Sequence, residues 1–208
     1  PLIAVAFYGS GNVDLCVKYG QTKKVFHHTK GLALSFYGDE NVEFEHTVSP
    51  DKSLQCIVVA TSLQNVERLP NQEGELFADL LEELVRPKDH YVEGPSFFMT
   101  PEMERIVNAF FLNTYTGKTK MMFYRSQITA LLSHFFGQLA TQQEAISKPN
   151  HKVQLNKARD ILLENIDNPP SLTELSREIG FNTTRLKKEF KAFFGVPVFK
   201  YLQNERLS

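Results

Sequence analysis

Tryptophan is absent from this 208-residue chain, and cysteine nearly so. The two cysteines, Cys16 and Cys56, lie in apolar stretches. So few exclude a disulfide-stapled secreted framework and a paired-cysteine zinc motif, and they read as buried free thiols of a protein kept in a reducing cytoplasm. No apolar run approaches the ~18 residues that a membrane-spanning helix requires, and residues 2–7 are too short, and lack the basic start, for a signal peptide. No membrane partner is therefore expected. Internal repeats and low-complexity tracts are missing. So are a phosphate-cradling glycine loop and any serine, cysteine or lysine nucleophile beside a base. No catalytic residue and no cofactor is assigned, and an enzyme is not the expected class.

Net charge is small as well, at −1, but it is unevenly spread. Residues 1–150 carry −4 and residues 151–208 carry +3. That asymmetry fits a phosphate-facing module attached to an acidic partner domain.

What the chain does contain is concentrated near its end, in the run SLTELSREIGFNTTRLKKEF over 171–190. Pro169 and Pro170 block any earlier helix, Ser171 can cap the first free amides, and Glu174 stands three residues on, where a capping box needs it. Leu172, Leu175 and Ile179 share one face. Gly180 permits a left-handed exit, and Asn182 can cap a second helix. In that helix Leu186, Phe190, Phe193 and Phe194 point inward. Thr183, Thr184, Lys187, Lys188 and Lys191 lie outward. Two helices joined by so short a turn form a helix-turn-helix, and a basic helix of about 13 residues, roughly 20 Å long, fits a DNA major groove ~12 Å wide. Double-stranded DNA is the expected partner. Thr184, Lys187 and Lys188 are expected to read bases, with Thr183, Arg185 and Lys191 positioning the phosphate backbone.

Ahead of this module, residues 1–61 alternate as strands do, over 2–8, 13–19, 24–28, 32–37, 42–48 and 54–60, with glycine and asparagine turns between them. An antiparallel barrel or sandwich is expected. Residues 62–146 turn helical, over 63–69, 75–85, 101–111 and 118–143. Thr100 caps the third of these helices and Pro101 occupies its favoured first position. The longest carries an apolar stripe of Met121, Tyr124, Ile128, Leu131, Leu132, Phe135 and Leu139, a natural dimer surface. Residues 147–150 (SKPN) read as a linker. The domains expected are thus 1–148 for sensing and dimerisation and 149–208 for DNA binding, and the fold class is α+β.

The residues over 155–207 also carry a family resemblance. Ala158, Ile161, Leu162, Ser171, Leu172, Leu175, Gly180, Phe181, Leu186, Phe190, Lys191, Phe194, Gly195, Phe199, Tyr201, Leu202, Arg206 and Leu207 stand in the order and spacing of the first helix-turn-helix and following linker helix of AraC/XylS-type transcription regulators. The details around Leu186 to Lys188, Phe193 to Gly195 and Val198 to Phe199 resemble the PchR-like branch, as does the segment 99–139. The resemblance implies a cupin-like sensor barrel, a relay that often dimerises, here through 118–143, a small-molecule effector that in this branch is a ferric siderophore, and contact with RNA polymerase. Ser176 stands where the family usually has alanine, and Glu189 where it often has an apolar residue, a departure that makes Glu189 expected to face outward. The family has two helix-turn-helix motifs, and this sequence, running from Pro1 to Ser208, holds one. It reads as part of a longer protein.

Two alternatives stay open: a metal-dependent cupin-type enzyme with a helical tail, and a module whose single motif contacts another protein. Adjacent His27 and His28 point to opposite faces of a strand and His46 stands apart, so no metal site is assigned. Tyr8, Phe26, His28, Phe36, Tyr37 and Phe44 are the candidate lining of a ligand pocket, with an ordinary aromatic core as the competing reading.

Overall fold

The computed structural model describes residues 1–70, 72–146 and 151–207. The expected linker 147–150 lies outside the described residues. The chain divides into two compact units, residues 1–136 and 137–208.

The first unit holds two antiparallel sheets. Strands β1 (Leu2–Ser10), β2 (Val13–Tyr19), β3 (Thr22–His28), β4 (Leu32–Gly38), β5 (Glu43–Val48) and β6 (Gln55–Ser62) follow one another in sequence. They are joined later by β7 (Tyr91–Phe98). The larger sheet runs β6-β1-β4-β7 and the smaller β3-β2-β5. In β2 the residues Val13, Leu15, Val17 and Tyr19 are buried while Asp14 is exposed, the period-2 signature of a strand with one wet face. β1 is buried along nearly its whole length, as a central strand covered on both faces must be. The β2–β3 hairpin closes with Tyr19 opposite Thr22, leaving a two-residue loop in which Gly20 takes φ 55°, the sign such tight loops demand.

β7 corrects the expectation that 62–146 is wholly helical. Gly94 and Pro95 read locally as a turn, yet β7 is an edge strand, where the missing Pro95 N–H costs no ladder bond. Gly94 is required by contact: a Cβ there would lie 2.4 Å from Ser35 Oγ. Between β6 and β7 run α1 (Leu63–Val66), α2 (Glu73–Leu80) and α3 (Glu82–Val85). The expected helix over 75–85 is broken at Leu81, whose backbone leaves the helical region with φ −129° while its side chain is buried.

α4 (Pro101–Leu112) and α5 (Gly117–Ile146) follow. Thr100 Oγ1 accepts from the Met103 amide, the expected cap. The odd residues of β1 face this helical side: the Phe7 ring meets Phe135 of α5 at 6.0 Å, and Phe97 stacks on Phe135 at 5.3 Å. The α5 stripe is therefore divided. Leu131, Phe135 and Leu139 are buried, whereas Met121 and the adjacent Met122 are exposed.

The second unit takes the last residues of α5, then α6 (His151–Glu164), α7 (Leu172–Glu178), α8 (Thr183–Phe194) and α9 (Val198–Arg206). Its core is Leu155, Ala158 and Leu162 of α6, Leu175 of α7, Leu186, Phe190 and Phe194 of α8, and Tyr201 and Leu202 of α9. The expected α+β class, a β-sandwich and helices followed by an all-α module, is the architecture observed.

Candidate functional site

Local chemistry builds the α7–α8 motif. Ser171 Oγ accepts from the Glu174 amide while the Glu174 carboxylate accepts from the Ser171 amide at 2.8 Å, a complete capping box. At the other end Gly180 adopts φ 72° and donates to Arg177 O, and Phe181 donates to Ser176 O at 2.8 Å. This pair of bonds is a Schellman stop. Asn182 Oδ1 then accepts from the Arg185 amide at 2.7 Å and starts α8. Ser176 is buried and donates to Thr173 O, so its hydroxyl is satisfied where the helices pack closely.

On α8 the side chains of Thr184, Lys187, Lys188 and Lys191 are exposed, and Thr183 is half-buried. Arg185 is engaged differently. Its Nε donates to Glu189 Oε1 at 2.9 Å, its guanidinium lies 4.1 Å over the Phe181 ring, and a second nitrogen abuts His151 Nε2. Glu189 Oε2 lies 2.9 Å from His151 Nδ1 without hydrogen-bond alignment. Glu189 thus keeps only 20% side-chain exposure and faces α6, which corrects the expectation that it points outward. Inward, Glu189 Oε1 meets the Arg185 guanidinium in a charge-assisted hydrogen bond.

In the sandwich, strand parity decides which aromatic residues meet. Val13 pairs with His28 and Leu15 with Phe26, placing both partners on the inner face of the smaller sheet with Phe44, which pairs with Val17. From the larger sheet Tyr8 and Phe36 face them. Tyr8 and Phe26 lie within ring contact of His28, and Phe36 meets Phe44 at 5.5 Å. Tyr91 of β7 touches Phe26, Phe36 and Phe44. Tyr37 is not brought to this cluster: it pairs with Ile3, on the face of the sheet opposite Phe36. Tyr91 went unrecognised in the sequence because its strand did, and only the register of β7 against Gly38 reveals it.

The polar groups of this interior centre on Tyr8 and His28, with Cys56 opposite Tyr8. The Tyr8 hydroxyl and His28 Nδ1 are 2.9 Å apart. Burial, with His46 and His27 nearby adding to it, pushes the His28 imidazolium down to about 4. Burial pushes the Cys56 thiol up to about 11 and raises the Tyr8 and Tyr91 phenols. The rim of the sandwich is open at β5 and β6. Phe44, His46 and Val48 pair with inward residues of β2, yet Phe44 is 39% exposed and the other two are exposed as well. Val58, opposite the inward Ala6, is 56% exposed. His27 turns outward and sits 2.6 Å from Asp14. No group of three His, Cys, Asp or Glu side chains among the described residues could hold a metal ion. Nor is any helix among them long and apolar enough to cross a membrane.

The first unit is thus a β-sandwich with an aromatic interior, and the second is built on two helices capped by their own sequence. Residues 1–151 match the family model of the regulatory protein PchR N-terminal domain, and the chain belongs to that family. The regulatory protein PchR of Pseudomonas aeruginosa is 41% identical over 54 residues, 26% of this chain and 18% of that protein, so the match spans less than a fifth of the relative's length. Among solved structures, an apo ToxT variant from Vibrio cholerae strain SCE256 aligns with 97% of this chain and 89% of its own, at 10% identity and TM-score 0.40. Unsaturated fatty acid bound wild-type ToxT from the same strain aligns at 10% identity and TM-score 0.37, over 97% of this chain and 87% of its own. Likeness of that degree carries no functional argument.

Proposed function

We propose that the chain is the sensing and first DNA-reading portion of an AraC-type transcription regulator acting in the cytoplasm. The observation that supports this most directly is the motif of α7 and α8: both helices are capped by their own sequence, and the exposed face of α8 presents Thr184, Lys187, Lys188 and Lys191 with no exposed acid among them. Thr184, Lys187 and Lys188 read base edges, and Thr183 and Lys191 hold phosphates. Arg185 serves DNA only by leaving Glu189. A duplex selected by the chain from a random library gives the test. Lys188→Ala should lose about 1–3 kcal/mol on the selected duplex and much less on a scrambled one. Equal losses on both would reduce Lys188 to a phosphate contact.

The sensor half takes a small effector at the aromatic interior of the sandwich, among Tyr8, Phe26, His28, Phe36 and Phe44, with Tyr91 added and Tyr37 set aside. A neutral, aromatic lining with one Tyr–His pair suits a ligand offering flat apolar faces. Kinship with the PchR branch makes a ferric siderophore the first candidate. Such a chelate brings its iron already wrapped, so the protein need supply no ligand to the metal. Tyr8 and Tyr91 should report it, since without tryptophan the tyrosines dominate emission. Quenching by an iron-loaded aromatic chelate, but not by free iron, is the expected result. Quenching by bare iron alone would overturn it. A homodimer through 118–143 and contact with RNA polymerase complete the reading.

A further inference from the structure

α8 ends at Phe194, and Gly195, with φ 82°, donates back to Lys191 O. The carbonyls after Lys191 therefore have no partner within the helix, the usual condition of a helix C-terminus. Two of them are taken by side chains from α5. Gln138 Nε2 donates to Ala192 O at 2.5 Å, and Gln142 Nε2 donates to Phe193 O. The two glutamines are four residues apart, hence on one face of α5 about one turn from each other, and they meet consecutive carbonyls. Gln142 is buried. Three residues before Gln138 on the same helix, Phe135 packs against Phe7 and Phe97 of the larger sheet.

We infer that Gln138 and Gln142 are positioning residues that hold α8 in its DNA-reading pose, making the far end of α5 the handle on that helix. The inference rests on the DNA-binding reading of α8. Surface glutamines that merely fill space would not place both amide groups on orphan carbonyls of one helix end. A pair of donors there also opposes the negative end of the α8 dipole, which a carboxylate in the same place would aggravate.

Replacing shape-alike side chains separates donation from packing. Gln138→Glu and Gln142→Glu keep the size and remove the donor, whereas Gln138→Lys keeps a donor at a half-buried site. In the whole chain, backbone hydrogen exchange at residues 192–195 should quicken roughly three- to tenfold in each Glu variant and stay within about twofold of wild type in Gln138→Lys. Preference for the library-selected duplex over a scrambled one should fall by a similar factor in the Glu variants alone. Equal effects of Glu and Lys at position 138 would overturn donation as the cause. Faster exchange with unchanged preference would overturn the positioning role, leaving a helix stop only. A wild-type chain that selects no duplex would instead remove the DNA-binding reading, and the exchange data would still judge the clamp.

Discussion

His28 offers the most exacting test of the sandwich interior. Its side chain is 7% exposed, its Nδ1 faces the Tyr8 hydroxyl, and its imidazolium forms only near pH 4 in the fold against about 6.5 when unfolded. The unfolded chain therefore binds more protons than the folded one between those values, so stability is full above about pH 6.5 and falls as the pH drops toward 4. The gap corresponds to about 3 kcal/mol at ~1.36 kcal/mol per pH unit, and water reaching the open β5 edge should reduce it to about 2 kcal/mol. Urea midpoints followed by circular dichroism from pH 7 to pH 4 measure the loss. Carboxylates titrate at the acid end too, so the comparison is with a Tyr8→Phe, His28→Phe double variant, which removes both partners and leaves no orphan hydroxyl. The double variant should lose about 2 kcal/mol less over the same interval. Proton NMR of His28 should show no titration above pH 5. A His28 resonance titrating near 6.5, or parallel stability curves for the two proteins, would refute the buried neutral imidazole.

Two further outcomes concern α8. Lys191→Ala should lower the slope of log affinity against log salt by about one unit, and an unchanged slope would remove Lys191 from the phosphate contacts. Glu189→Gln acts in the opposite sense on the same measurement: releasing Arg185 should steepen the slope by up to about one unit while costing roughly 1 kcal/mol of stability, a fall of several degrees in the unfolding midpoint. A flat response in both would mean that the Arg185, Glu189 and His151 cluster restrains nothing.

The parts of this protein legible in its sequence are those fixed by neighbours along the chain. Ser171 with Glu174, Gly180 and Asn182 each act within three or four residues, so both helix ends of the motif could be read directly. The first six strands announced themselves through short apolar or alternating runs between turn residues, with β2 the clearest alternation. β7 did not, because Gly94 and Pro95 are there for reasons lying elsewhere: contact with Ser35 and Leu84, and an edge position in the sheet. With β7 went Tyr91, the ring that joins Phe26, Phe36 and Phe44. Phe36 and Tyr37 are adjacent and equally aromatic, and only the pairing of β4 with β1 assigns them to opposite faces. Glu189 reads as outward because a charge stands where the family that the chain resembles often has an apolar residue. Its partner His151 is 38 residues away, and nothing local signals such a contact. The same holds for Gln138 and Gln142, whose polar side chains on a long helix read as solvated until the carbonyls of α8 are seen opposite them.

The fastening of α8 has a consequence for how such a protein can change its target. Leu186, Phe190 and Phe194 are committed to the core, Arg185 and Glu189 to His151, and the last carbonyls to α5. Thr184, Lys187 and Lys188 are committed to nothing inside. If α8 reads DNA as proposed, substitution at those three positions would alter what the helix presents to DNA at almost no cost in folding, so a new operator would be within reach of a few changes that leave the scaffold holding the helix untouched.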